Sequence, residues 1–225
     1  MRTLSASDTI TKSSAGFSRV EPQLARTAQD IAIKNLLVIT ALLFLIQTTL
    51  GDINSELIKA ATEGETQALE TLIRGGADIQ SDGGSALISA AFSALERHGK
   101  EESIDGQIEA VQILVNAGAD VDEHLENGIT ALMLMAILGQ ADAVGVLLEA
   151  GADLNAANSA DGGTALIFAV YGGSTETVSI LIEAGADINM ADAGTGSGNG
   201  RTALSYAVEK DHAEITEVLK QAGAK

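Results

Sequence analysis

The apolar positions divide the chain into two parts of different character. Residues 31–51 form one apolar stretch in which Lys34 is the only charged side chain. Beyond it, apolar residues recur three and four positions apart, as in Val144, Leu147 and Leu148. This is the spacing of residues on one face of a helix. The pattern therefore predicts one apolar helix followed by a domain of amphipathic helices.

The helical part is built from an internal repeat. The tripeptide Gly-Ala-Asp occurs at 76–78, 118–120, 151–153 and 185–187. A hydroxyl residue followed by Ala-Leu recurs at Ser85, Thr130, Thr164 and Thr202, and Ser55 holds the same place in an N-terminal unit. The hydroxyl group can cap a helix start, and the glycine can adopt the left-handed conformation that ends a helix. Each unit therefore predicts two short antiparallel helices, which only a neighbouring unit can cover.

These features keep a common register that resembles the ankyrin repeat, whose pattern runs from Gly-x-Thr-Pro-Leu-His to Leu-Leu-x-x-Gly-Ala-Asp-x-Asn. Gly128-Ile-Thr-Ala-Leu132 and Gly151-Ala-Asp-Leu-Asn155 carry the match most fully. The resemblance covers residues 52–225 in five units: 54–80, 81–122, 123–155, 156–189 and 190–225. It implies an all-α ankyrin-repeat solenoid of helix–turn–helix units with β-hairpin-like fingers, preceded by a single hydrophobic N-terminal helix.

Two units are longer than the others. The second unit has 12 extra residues near 94–105, between its two helices, and the fifth has a glycine-rich finger over 190–201. Insertions in repeats map to loops and often to binding faces. A surface insertion without a role is the alternative for each.

The N-terminal segments leave several interpretations open. Residues 1–30 are rich in Ser and Thr and lack a hydrophobic period, which predicts a disordered or targeting segment. Residues 31–51 are long enough to cross a bilayer as a helix. An uncleaved transmembrane anchor, a cleaved signal peptide and a buried helix of a soluble protein all fit this stretch.

The charges beside the apolar stretch predict an orientation. Arg19, Arg26 and Lys34 lie before the uncharged run 35–51. The positive-inside rule then places residues 52–225 on the non-cytoplasmic side, in a periplasm or lumen. A product secreted after signal cleavage, or an organellar one, is the alternative.

Charge narrows the class of partner. The chain has 13 Lys and Arg against 31 Asp and Glu, and no Lys or Arg lies between Lys100 and Arg201. Such acidity opposes binding to phosphate backbones and speeds encounter with basic partners. We therefore expect no nucleic-acid partner and a protein partner with a basic surface. Acidity that serves solubility alone is the alternative.

The sequence lacks the usual signatures of catalysis. It has no Cys, which excludes a thiolate zinc site and a cysteine nucleophile. The histidines His98, His124 and His212 lie in three different units without metal-ligand spacing, and we interpret each as an exposed loop residue. Residues 120–126 lack the glycine of a calcium loop, and the glycines of 194–200 do not have dinucleotide-binding spacing. We predict no catalytic residue, no cofactor and no metal.

The resemblance also implies where a partner would dock, on a concave surface of finger tips and inner helices. The contact positions carried over from the family include Ile137, Leu138 and Tyr171, which we expect to form an apolar patch ringed by carboxylates. The finger-tip candidates are His124, Glu126, Asn127, Asn158, Asp161, Asp192 and Arg201. Burial in the core is the alternative for Ile137 and Leu138.

Taken together, these features predict a non-catalytic protein–protein interaction module. The interpretation that fits most of them is a membrane-tethered ankyrin adaptor or accessory subunit with an acidic concave face. Two alternatives stay open. One is a secreted inhibitory or protective factor that masks a basic surface of an enzyme or toxin, and the other is a structural subunit of a membrane complex.

Overall fold

The computed structural model describes most of the repeat region: residues 53–80, 85–193 and 200–225. All of them belong to the unit Asp52–Lys225. The predicted segments 1–30 and 31–51 lie outside the described residues, and so does most of the glycine-rich finger, 194–199. In the part of the chain that the structure describes, no helix is both long and apolar enough to cross a bilayer.

The described residues contain ten helices, arranged in five consecutive pairs. They are α1 (53–63), α2 (Thr66–Arg74), α3 (Ala86–His98), α4 (Asp105–Asn116), α5 (Ala131–Ile137), α6 (Ala141–Glu149), α7 (Ala165–Gly172), α8 (Thr175–Glu183), α9 (Ala203–Glu209) and α10 (Ala213–Gln221). From α3 to α9 each odd-numbered helix packs on the next, and the even-numbered helices form a second row from α2 to α10. The predicted all-α stack of helix pairs is confirmed.

Short fingers join consecutive pairs. Three of these fingers are each closed by an isolated antiparallel bridge, between His124 and Thr130, Ala157 and Thr164, and Ala191 and Thr202. Neighbouring fingers also contact each other, because the Asn127 carbonyl accepts a hydrogen bond from the Ser159 N–H at 2.8 Å. The fingers are therefore hairpin-like, as the sequence predicts, and they form a second line of contact along the stack.

The repeated hydroxyl residue caps the first helix of each later unit. The side chains of Ser85, Thr130, Thr164 and Thr202 each accept the N–H three residues onward, at 3.3, 3.4, 3.4 and 3.4 Å. Ser55 does not play this part, because α1 already includes residue 53 and Ser55 lies inside it. The cap assignment is wrong for Ser55, although Leu57 is buried as Leu87 is.

The Gly-Ala-Asp motif ends each second helix and joins each unit to the next. Its glycine adopts a positive φ in every unit, for example 92° at Gly151, where a side chain would have open space. Conformation rather than crowding therefore selects glycine. The Asp153 carboxylate accepts the Asn155 N–H at 3.0 Å and folds its own turn. Asn155 Oδ1 in turn accepts the Asp187 N–H of the following unit at 2.8 Å.

The bond between units recurs along the stack. It joins Asp122 to the Asp153 N–H and Asn189 to the Lys225 N–H, at 2.7 and 3.0 Å. Within the first unit, Asn54 Oδ1 accepts the Asp78 N–H at 2.8 Å. A single polar position thus fixes the register of successive units, while aliphatic side chains fill the space between them. Equivalent leucines of four even-numbered helices are fully buried: Leu114, Leu147, Leu181 and Leu219.

The extra residues of the second unit lengthen its helices. Helix α3 has 13 residues and α4 has 12, whereas α5 has 7 and α6 has 9. The added turns stay helical because Ala94 is fully buried. Ser93 Oγ and Gln107 Nε2 both donate to the Thr62 carbonyl, at 2.8 and 3.1 Å. The insertion therefore braces the first unit instead of forming mainly a loop.

Candidate functional site

A groove of about 450 Å³ lies between the fingers of the last two units and helices α5, α7 and α9. We call it the groove throughout. Its apolar lining consists of Ile137, Ile167, Phe168, Tyr171 and the ring of Tyr206. Its polar lining consists of Asp161, Asp192, Arg201, Glu209 and Lys210.

The helix caps explain why these side chains meet. Phe168 and Tyr206 lie four residues after their capping threonines, and Tyr171 lies one further turn along α7. Residues three apart on a helix share a face, so Phe168 and Tyr171 both point to the groove. Because α5, α7 and α9 pack side by side with equivalent registers, Ile137 extends the same apolar row in the preceding unit.

A buried carboxylate organises the end of the groove. The Asp192 side chain is 2 % exposed. It accepts the backbone N–H of Arg201 at 2.7 Å and the hydroxyl of Tyr206 at 2.5 Å. A side chain at Gly200 would overlap the Asp192 carbonyl oxygen. The two ends of the fifth finger are therefore tightly paired at its base, and Asp192 supplies an acceptor for this pairing.

Arg201 is held by the same network. Its Nη2 donates to the Tyr206 hydroxyl oxygen at 2.6 Å, and its Nη1 donates to Glu209 Oε2 at 3.1 Å. Its Nε lies 3.7 Å from Asp192 Oδ2. Three partners thus fix the guanidinium group, which is a rigid part of the groove wall.

Burial raises the pKa of Tyr206 to about 12, and the hydrogen bond to Asp192 acts in the same direction. Removal of the proton would place a phenolate beside a carboxylate in a poorly hydrated site. The hydroxyl therefore stays protonated near neutral pH and continues to donate to Asp192.

Both cations of the groove lie against aromatic rings. The Arg201 Cζ atom is 4.2 Å from the Tyr206 ring centroid, and the Lys210 Nζ atom is 3.6 Å from that of Tyr171. The two rings meet edge to face, with centroids 6.3 Å apart and an interplanar angle of 71°. Tyr171 is nevertheless 53 % exposed. The groove thus presents an ordered aromatic pair, and solvent reaches one member of it.

Half of the predicted docking residues converge on the groove. These are Ile137, Asp161, Tyr171, Asp192 and Arg201. The remaining exposed ones, His124, Glu126 and Asn127, lie on the finger of the third unit, away from the groove. Their role in docking stays a prediction.

Three of the predicted docking residues are buried. Leu138 is 8 % exposed and packs in the hydrophobic core, so the core alternative is right for it. Asn158 and Asp192 are each 5 % exposed, which corrects their description as finger tips. The physical reason is the tight turn of each finger, whose N–H groups need an acceptor. Asn158 Oδ1 accepts the N–H groups of Ala160 and Asp161, both at 2.9 Å.

Several residues that line the groove were not among the residues predicted from the sequence. Phe168 and Tyr206 repeat at one register, four residues after a capping threonine, and that regularity was a usable signal. The link between Asp192 and Tyr206 had no such signal, because it depends on how an irregular finger folds back. Glu209 and Lys210 occupy the family's contact positions but were not selected.

The histidines differ from the prediction that all three are exposed loop residues. His124 is exposed on a finger, but His98 is the last residue of α3. His212 precedes α10, and its Nε2 atom is buried without a hydrogen-bond partner among the described residues. Its ring lies so close to Gly173 that an added Cβ would be 3.1 Å from its Cε1 atom. Among the residues that the structure describes, no cluster of three or more His, Asp or Glu has the arrangement of a metal site.

Stacked helix pairs joined by hairpin-like fingers define a repeat-solenoid protein. A family model of ankyrin repeats, three repeats long, matches residues 100–192 and again 161–225, which is more than half of the chain. No curated protein matches the chain significantly. The chain belongs to the ankyrin repeat family, whose repeats generally mediate protein–protein interaction without catalysis.

Proposed function

We propose that this chain is a protein-recognition module and that its partner docks in the groove. One observation carries the proposal: an ordered aromatic pair with a half-exposed ring, Tyr171, stands on packed helices between charged walls. Aromatic residues held rigidly within a polar rim have the composition of interface hot spots.

Charge supports a basic partner. Three carboxylates line the groove, from Asp161, Asp192 and Glu209, and its two cations already lie on tyrosine rings. The chain around the groove is acidic as well, since its net charge is −18. A basic segment would gain from this potential both in its rate of encounter and in its orientation.

Membrane tethering is a separate part of the proposal. It rests on the apolar stretch 31–51 and on the basic residues that precede it. We expect the native protein to stay with membranes after alkaline carbonate and to be released by detergent, with residues 52–225 on the non-cytoplasmic side. Release by carbonate, or a mature mass that lacks the N-terminal segments, would favour the secreted alternative and leave the groove proposal unchanged.

The groove proposal is tested with variants of the full chain in detergent. Tyr171→Ala removes the exposed ring, and Phe92→Ala is the matched control, since Phe92 is 40 % exposed at the equivalent position of α3, outside the groove. We expect Tyr171→Ala to lower the affinity for a captured protein partner by about 30-fold or more, which is the loss typical of an interface hot spot. Phe92→Ala is expected to change binding less than threefold. Binding that survives Tyr171→Ala, or recovery of nucleic acid alone, would contradict the proposal.

A further inference from the structure

We propose that the exposed face of Tyr171 is a subsite for a Lys or Arg side chain of the protein partner, and that Lys210 occupies this subsite until the partner displaces it. The inference rests on the proposed function and specifies the chemistry of its groove. The occupant is an extended segment in which a basic residue stands next to a bulky aliphatic one.

The position of Lys210 is the first observation. Its Nζ atom lies 3.6 Å from the Tyr171 ring centroid, within the range of a cation–π contact. Among the described residues, no carboxylate lies within salt-bridge distance of this ammonium group. Although the chain has 31 Asp and Glu, this lysine lies against a tyrosine ring. The ring face therefore accepts a cation.

Arg201 supplies the contrast. Its guanidinium group also lies against a ring, that of Tyr206, but it donates to the Tyr206 hydroxyl oxygen and to Glu209 as well and lies 3.7 Å from Asp192 Oδ2. Displacement of this guanidinium group would break all of these contacts. Displacement of Lys210 breaks one cation–π contact, and its flexible stem can swing into solvent. Exchange is therefore expected at Tyr171 and not at Tyr206.

The surroundings of Tyr171 define the ligand. An anion would meet the carboxylates of Asp161, Asp192 and Glu209, whereas a cation gains from them. Ile137 and Phe168 lie beside the ring in the same groove. They offer apolar surface to a residue that neighbours the cation. A basic residue next to Leu or Ile therefore matches both the ring face, which accepts a cation, and the apolar surface beside it.

The chain has a built-in reporter for this site. Its only two tyrosines, Tyr171 and Tyr206, both line the groove, and it has no Trp. Full-length protein labelled with fluorotyrosine in detergent therefore gives one fluorine NMR signal per ring, and Tyr171→Phe assigns them. The probe is acetyl-Leu-Lys-Leu-amide, and the matched probe replaces the lysine with norleucine, which has an uncharged side chain of similar length.

The expected result has three parts. The lysine probe shifts the Tyr171 signal and binds at least about fivefold more tightly than the norleucine probe. Lys210→Met, which keeps the apolar stem, increases affinity for the lysine probe about threefold, the size of one exposed cation–π contact. Lys220→Met removes the same charge from an exposed site on α10, outside the groove, and leaves the affinity unchanged apart from a small general effect.

Two results would overturn the inference. Equal binding of both probes would show that the groove recognises apolar surface alone. Equal gains from Lys210→Met and Lys220→Met would show that net charge, and not displacement from the ring, controls affinity. In either case the proposed function stands if binding of a captured protein partner still depends on Tyr171. Loss of that dependence refutes the function itself.

Discussion

Replacement of Asp192 tests whether the buried carboxylate holds the fifth finger and the groove together. In Asp192→Ala the Tyr206 hydroxyl and the Arg201 N–H both lose their acceptor. In the wild-type chain these donors lie 2.5 and 2.7 Å from the Asp192 carboxylate oxygens. The alanine side chain has no acceptor and cannot replace either bond.

The size of the loss follows from the two bonds. A hydrogen bond to a charged acceptor contributes about 1.5–3 kcal/mol. The Tyr206 hydrogen bond is buried, so its loss costs most of this free energy. Water can reach the partly exposed Arg201 and replace part of the hydrogen bond that its N–H loses. The more distant guanidinium contact adds little, because Arg201 is partly solvated. We therefore expect Asp192→Ala to cost about 3 kcal/mol and Asp192→Asn, which keeps one acceptor oxygen, to cost about 1 kcal/mol.

Urea unfolding with two optical probes measures this loss. Tyrosine fluorescence reports on the groove, since both tyrosines line it, and circular dichroism reports on all the helices. Because units at the ends of a repeat stack can open separately, the fluorescence midpoint should fall further than the dichroism midpoint. For a urea slope of about 2 kcal/mol per molar, the fluorescence shift is about 1.5 M in Asp192→Ala.

Asp142→Ala is the control, because Asp142 is exposed in the first turn of α6. It should shift the urea midpoint by less than about 0.5 M, because an acidic residue at a helix start stabilises the helix by no more than about 1 kcal/mol. A urea midpoint shift in Asp192→Ala that is no larger than the shift in Asp142→Ala would refute the reasoning. Greater damage from Asp192→Asn than from Asp192→Ala would also refute it, since the order of the two follows from the retained acceptor.

Three further predictions follow from local geometry. The pKa of Tyr206 is raised from 10.0 to about 12, so the unfolded chain ionises first and the protein loses stability as the pH rises through this window. Spectrophotometric titration should show one late tyrosine, which Asp192→Asn moves to lower pH. Gly172→Ala should cost about 1–3 kcal/mol in thermal unfolding, because its Cβ would overlap a carbonyl oxygen of α5, whereas Gly145→Ala, with open space in α6, should gain about 0.5–1 kcal/mol. Asn155→Ala should cost about 1 kcal/mol by removing the bond to the next unit, and Asn155→Asp, which keeps an acceptor, should cost less.

The sequence predicted best what is local and repeated. The cap at Thr164 acts three residues away, and the turn at Gly151 depends on its own backbone. Each such feature recurs in several units, so one unit supports the interpretation of the others. The helix pairs followed from these short-range rules, whereas the fingers and the candidate residues of the groove were implied by the resemblance to the ankyrin repeat.

What the sequence did not predict depends on distant or unique contacts. Asp192 was expected at an exposed tip, but Tyr206, 14 positions away, covers it. The second-unit insertion was placed between helices, but Ser93 and Gln107 anchor its turns to the Thr62 carbonyl. Neither contact recurs in another unit, so the repeat supplies no template for it.

The groove links recognition to the stability of the fifth unit. Val208 is 61 % exposed, whereas the equivalent Val170 is fully buried by its neighbour. Helix α9 packs on α7 and α10 packs on α8, and the Asp192 network adds a further tie to this less covered unit. A ligand that contacts α5, α7 and α9 together adds a contact to this less supported unit, and by mass action it stabilises the folded finger. Loss of Asp192 should consequently weaken binding through disorder of the groove, although Asp192 itself is too buried to contact the partner.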